Sequence, residues 1–162
     1  MTVDVQFDAS DVNIRLDQVN EQIIRNVKRE IGLIGLMIKS RAQRNLLENG
    51  SIDTGGLWGS VVSEVSDEGM TVTVGTGLKL GAWVEFGSGP HGVSKEGQKQ
   101  IEEWVNRKLG IGGDEGHSVA QAIVWKIRNE GQRPKPWLFP AFEGEKPNIQ
   151  MRIENAIIEG LK

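Results

Sequence analysis

Cysteine is absent from the 162 residues, which excludes a disulfide-stapled scaffold, thiolate zinc sites, cysteine nucleophiles and any thiol redox role. Tyrosine is also absent, and histidine occurs only twice. No apolar run approaches the ~18 residues that a membrane span needs, and the stretch from Met1 to Asp11 is acidic and charged, unlike a signal peptide. The expectation is a soluble protein made in the cytoplasm, with no membrane partner. A basic excess is missing as well. The 19 Lys and Arg stand against 22 Asp and Glu, for a net charge of -3. That is too little positive charge for a counterion-release footprint on nucleic acid.

What is present points to one globular domain over residues 1–162, because a chain 25% charged and 38% hydrophobic at ~150 residues per domain is long enough to bury a core. Glycine reaches 21 residues without a three-residue period, so the glycines read as turns and helix ends rather than collagen or linker. Two of the five tryptophans, Trp58 and Trp137, lie beside Gly or Pro, where a large ring can cover bare backbone or a contact surface.

Periodicity then predicts the elements. Thr2 to Asp8 alternates as a half-buried strand, with Val3, Val5 and Phe7 on one side. From Leu16 to Glu48 the apolar residues Leu16, Ile23, Val27, Ile31, Ile34, Ile38, Ala42 and Leu46 step by three, four or seven, as in a long amphipathic helix. At roughly 50 Å this helix outruns a compact globule, so it either bends at Gly32 and Gly35 or projects towards a partner. Leu57 to Val65 and Met70 to Val74 read as a hairpin, and Ala82 to Phe86 as a third strand of an antiparallel meander. Helices follow at Lys95 to Leu109 and Val119 to Glu130, the second opened by a Ser118-x-x-Gln121 capping box. Gly110 to Gly116 between them reads as a flexible loop that orders only on assembly. Arg133 to Pro140, with three prolines, suits an extended arm. Ile149, Ile153, Ala156, Ile157 and Leu161 give a closing helix. The sum is an α+β fold: a small antiparallel sheet packed against a long N-terminal helix, an inserted helix pair over about 94–131, and a C-terminal helix.

Candidate chemistry is sparse. Gly87-Ser88-Gly89-Pro90-His91-Gly92 is a literal G-x-G-x-x-G after a predicted strand, the signature of a pyrophosphate cradle. It lacks the βαβ context, however, and Pro90 removes an amide donor. A small nucleotide-binding or enzymatic domain on this loop is therefore only the out-of-class alternative. His91 and His117 sit in different loops, so neither a metal nor a cofactor is expected. Asp53-Thr54-Gly55 offers Asx-turn and hydroxyl bonds that would fix the hairpin's start. Glu85, mid-strand between apolar neighbours, reads as a hydrogen-bonded structural or interface acid rather than a catalytic one.

Three segments in order carry a resemblance. Ser51-Ile52-Asp53-Thr54-Gly55-Gly56-Leu57-Trp58-Gly59-Ser60-Val61, Trp83-Val84-Glu85-Phe86-Gly87-Ser88-Gly89 and Pro136-Trp137-Leu138-Phe139-Pro140-Ala141 resemble the D-T-G-x-L-x-x-S-[IV], [YW]-V-E-F-G-[TS] and P-F-L-x-P-A segments of the tailed-phage neck and tail-completion family, related to the minor tail protein Z of phage lambda. The likeness runs from about Leu16 to Leu161. Leu80-Gly81 stands where the family often has Tyr-Ala, Ser88 stands for Thr, and Trp137 for Phe.

The resemblance implies a structural virion protein and not an enzyme. It would be made in the bacterial host cytoplasm and placed at the head–tail junction as a ring of six copies. Its implied partners are further copies of itself, the tail tube or tail terminator protein, and the head-side connector or stopper protein, with DNA only as cargo in the channel. A tail terminator ring is the alternative within the class. The implied fold and interface residues are Asp53, Thr54, Gly55, Leu57, Ser60, Trp83, Glu85, Phe86, Gly87, Pro136, Trp137, Phe139 and Pro140. On this reading Asp53, Thr54 and Glu85 fix turns, and Pro136 to Ala141 docks on a neighbour through Trp137 and Phe139.

Overall fold

The computed structural model describes residues 3–8 and 21–161, the side chains of Phe7 and Asp8 excepted. Thr2 and the stretch Leu16 to Asn20 of the expected first strand and helix lie outside the described residues. The elements run β1 (Val3–Asp8), α1 (Glu21–Glu48), α2 (Gly56–Gly59), β2 (Val62–Val65), β3 (Thr71–Thr76), α3 (Lys79–Phe86), α4 (Lys95–Leu109), α5 (Gly113–Glu130) and α6 (Phe139–Gly160). The fold class is α+β, with a three-stranded antiparallel sheet in the order β1-β3-β2.

β3 is central. It pairs with β1 from Val3↔Thr76 to Asp8↔Thr71 and with β2 from Val62↔Gly75 to Val65↔Val72. Its inward residues Val72 and Val74 are fully buried under α1. The buried face of α1 is the stripe that the periodicity marks: Ile31, Ile34, Ile38, Ala42 and Leu46 are all sealed from water. Each large aliphatic among them contributes roughly 1.5–3 kcal/mol of burial. α1 remains helical through Gly32 and Gly35. Gly35 is instead the place where helix and sheet touch, since a Cβ there would lie 2.3 Å from Val72 Cγ2 and 2.4 Å from Ser63 Oγ.

α6 runs antiparallel to α1 and covers its other flank. Arg29 pairs with Glu159 at 3.7 Å, Arg152 with Glu30 at 2.8 Å and Arg41 with Glu145 at 3.6 Å, while Asn26 Nδ2 donates to Ala156 O at 3.4 Å. α4 and α5 form a separate helical hairpin. Val105, Ala120, Val124 and Ile127 are its buried residues, and none of them belongs to the main core cluster.

Three expectations are corrected. Ala82 to Phe86 is helical, not a strand, so the sheet's third strand is the N-terminal β1 and the connectivity is not a meander. Helical spacing gathers Gly81, Ala82 and Glu85 on the buried face and turns Trp83 and Phe86 outward; two-residue alternation would have put Ala82, Val84 and Phe86 together. Leu57 to Gly59 likewise belongs to a short helix that buries Leu57 before β2 starts. Finally, the loop between these helices is only residues 110–112, not Gly110 to Gly116. Gly110 closes α4 in the left-handed region with φ 69°, and α5 already begins at Gly113. Ser118 lies inside that helix, its hydroxyl donating to Asp114 O at 2.9 Å rather than forming a capping box.

Candidate functional site

The three resemblance segments, up to about 85 residues apart in the chain, converge on one clasp at the C-terminal end of α1. Its centre is Glu85, 3% exposed. One carboxylate oxygen accepts from the backbone amides of Trp137 at 2.7 Å and Leu138 at 2.8 Å, and the other from Phe139 at 3.0 Å. These amides open α6, whose cap residue Leu138 has no side-chain acceptor and whose second residue is Pro140. A helix start with no cap of its own is thus capped from α3, and the carboxylate stands where the helix dipole favours negative charge.

Trp137 completes the clasp. Its ring is fully buried in its own subunit, and Nε1 donates to Gly81 O at 3.1 Å. The first segment joins through Leu57, which is 5% exposed and, like Trp137, lies against Gly81: a Cβ on Gly81 would be 3.5 Å from Leu57 Cδ1 and 3.4 Å from Trp137 Cζ2. Ser60 shares a 2.7 Å hydrogen bond with Thr76 Oγ1 and donates to Leu57 O at 2.8 Å, which ties α2 to the end of β3.

The strap before α6 is held from both sides. Lys135 N donates to Val84 O at 2.7 Å. From α1 and its end, Asn45 Nδ2 donates to Trp137 O at 2.8 Å, and Asn49 Nδ2 to Lys135 O at 3.2 Å and Pro136 O at 3.3 Å. Neither Asn45 nor Asn49 stands among the residues expected at this site. Their i, i+4 spacing on the helix was the available signal.

The other predicted residues fall as follows. Asp53 forms no Asx turn. It accepts from two of the three Arg107 nitrogens, Nε at 3.1 Å and Nη2 at 2.5 Å, and so fastens the loop before α2 to the α4–α5 hairpin. The hydrogen bond from Arg107, with its charge, holds the Asp53 carboxyl below its ordinary 3.8. Thr54 is exposed and its hydroxyl makes no hydrogen bond, so the expected hydroxyl contribution to this turn is corrected. Gly55 starts α2 with φ 84°.

Gly87 has φ 70°, and a Cβ on it would lie 2.4 Å from Gln132 O. It lets the chain cross the residues after α5 closely enough for Ser88 and Gln132 to exchange backbone bonds of 3.0 and 2.9 Å. Two amides of the Gly87–Gly92 loop are thus spent on the protein itself, that of Ser88 and that of His91, which points to Ile127 O at 3.4 Å. It does not open a helix, because α4 starts later behind its own cap, Ser94. That is not the geometry of a phosphate cradle.

Trp137 cannot anchor on a neighbour, being sealed in its own core, and the expectation that it does is corrected. The outward side chains around the clasp are Phe139, Trp83 and Phe86, at 59%, 55% and 63% exposure; Pro136 and Pro140 are exposed beside them. α1 leaves Leu33, Leu36 and Leu47 exposed on the face away from the core. Among the described residues no three His, Asp or Glu side chains gather as a metal site, and no helix is long and apolar enough to cross a membrane. No family model, curated protein or solved structure matches the chain.

Proposed function

We propose that this protein is a structural virion subunit of a long-tailed bacteriophage. Copies of it, made in the host cytoplasm, form a ring of six at the head–tail junction. The ring completes the tail and joins it to the head-side connector, with DNA passing through as cargo. The observation that carries this reading is the clasp. Segments that resemble the tail-completion pattern, and that lie far apart in sequence, are packed and hydrogen-bonded to one another, which gives a physical reason for residues of those types to occur together.

The clasp also accounts for what Glu85 does. Three backbone amides take both its oxygens and the side chain is buried, so it braces a surface rather than facing a substrate. Large apolar side chains beside it point outward. Exposed apolar surface of this kind suits contact with other protein chains.

The test is the mass of the purified protein by light scattering, alone and with tail tubes or head connectors from the same source. Hexamers, free or formed on a partner, are expected. A monomer that ignores both partners overturns the reading. Adding the protein to unfinished tails and to filled heads separates tail completion from tail termination.

A further inference from the structure

A groove of about 1120 Å³ lies between the α4–α5 hairpin and the body, floored by the residues just after α1. That exceeds the ~300–1,000 Å³ of pockets that take small ligands, so it suits a chain segment. Trp83 and Trp104 line it, together with Lys108, Lys126, Arg133 and Lys135. All four cations are exposed, and none is in an ion pair among the described residues. Glu130 and Asp53 also line it, but Asp53 is already taken by Arg107. In a chain of net charge -3 this is a local basic and aromatic trough.

The complementary surface is in the same chain. The end of the β2–β3 hairpin carries Glu64 on β2 and Asp67 and Glu68 in the turn, all exposed and none ion-paired among the described residues, beside Val65 at 45% exposure. The turn lies over α1 near its start, where a Cβ on Gly69 would be 3.0 Å from Lys28 Cδ. The groove lies past α1's other end, at Gly50 to Asp53. From Lys28 to Glu48 the helix rises about 30 Å, so turn and groove of one subunit cannot meet.

We propose that the groove receives the β2–β3 turn of a second copy of this chain. Val65 packs against Trp83 and Trp104, and Asp67 and Glu68 face Lys108 and Lys126. Donor and acceptor sit at opposite ends of each subunit, so the contact is heterologous and repeats head to tail until it closes. The inference rests on the ring reading above and gives that ring its subunit contact.

The chain's lack of cysteine makes the test clean. Glu68→Cys and Lys126→Cys variants, each folded by circular dichroism, are mixed under mild oxidation at a concentration where light scattering shows assembly, with tail tubes added if assembly needs them. A disulfide-linked dimer at least five-fold above that from either variant alone, and above a Lys126→Cys plus Gln150→Cys control, is the expected result. Assembly without that excess overturns the turn-in-groove contact and leaves the ring standing. No assembly under any condition overturns both.

A second arm reverses charge. Asp67→Lys with Glu68→Lys weakens assembly at least tenfold, and mixing with Lys108→Glu/Lys126→Glu subunits restores it. Failure of the swap to restore assembly overturns the pairing. So does capture of a short single-stranded oligonucleotide by the wild-type groove, but not by the Lys108→Glu/Lys126→Glu variant, in place of a second copy.

Discussion

Glu85 shows how much one carboxylate can organise when backbone amides converge on it. Glu85→Gln keeps the shape but leaves one oxygen for three amides and turns an NH2 group towards them. With at least one buried donor orphaned, the loss of stability should be about 2–4 kcal/mol, read from a lowered urea midpoint; a wild-type midpoint would show that the cap contributes nothing. A second residue-scale prediction joins Trp137 to Gly81, whose carbonyl accepts from the indole nitrogen. Trp137→Phe removes that bond and some packing. Gly81→Ala sets a methyl 2.4 Å from Thr76 Cγ2 and 3.4 Å from Trp137 Cζ2. The hard contact, Thr76 Cγ2, is not relieved by a smaller ring, so in a double-mutant cycle the two costs should add to within about 0.5 kcal/mol. A larger coupling would show that the ring, not Thr76, limits the space at Gly81.

Between elements, the one ion pair from the body to the α4–α5 hairpin among the described residues is Asp53–Arg107. The folded Asp53 carboxyl titrates below 3.8, chiefly through the Arg107 hydrogen bond, so its contribution is present above that value and fades as pH falls through the lower folded one. Asp53→Asn should remove this part of the acid limb of stability and speed hydrogen exchange in α4 while α1 stays protected. Unchanged exchange in α4 would show that the backbone bonds between Ser88 and Gln132 hold the hairpin alone. Legibility divides along the same line. The stripes of α1 and α4 could be read because 3.6-residue periodicity runs over several turns; Lys95–Leu109 has the bounds expected. Residues 79–86 were misread because eight residues fit either period. The deciding fact, that Glu85 must reach amides some fifty residues away, is not local. The glycines after α4 misled for a related reason: they allow a tight turn between packed helices, which composition cannot tell from a mobile loop. Of the candidate site, the residue types were legible, but the sides they face were not. Trp137 and Phe139 are two apart in one motif, and only the structure shows the first sealed and the second exposed.

For the molecule as a whole, α1 and α6 form an antiparallel pair with the sheet on one flank and the helical hairpin beyond its far end, so the subunit offers different surfaces at its two ends. On the ring reading, Phe139→Ser should shift the denaturation midpoint by no more than about 0.5 kcal/mol, as for other exposed positions, while abolishing the joining of tails to heads in a reconstitution assay. Joining at the wild-type level would remove Phe139 from the contact. The five tryptophans divide the same way, with Trp137 fully buried and Trp58, Trp83, Trp104 and Trp125 between 36% and 63% exposed. In a chain without tyrosine this split makes intrinsic fluorescence a two-channel reporter. Acrylamide should quench four emitters and spare one. The spared, blue-shifted emission follows core melting, whereas, on the ring reading, protection newly gained by the quenchable fraction follows copies coming together, so one cuvette would time folding and assembly separately.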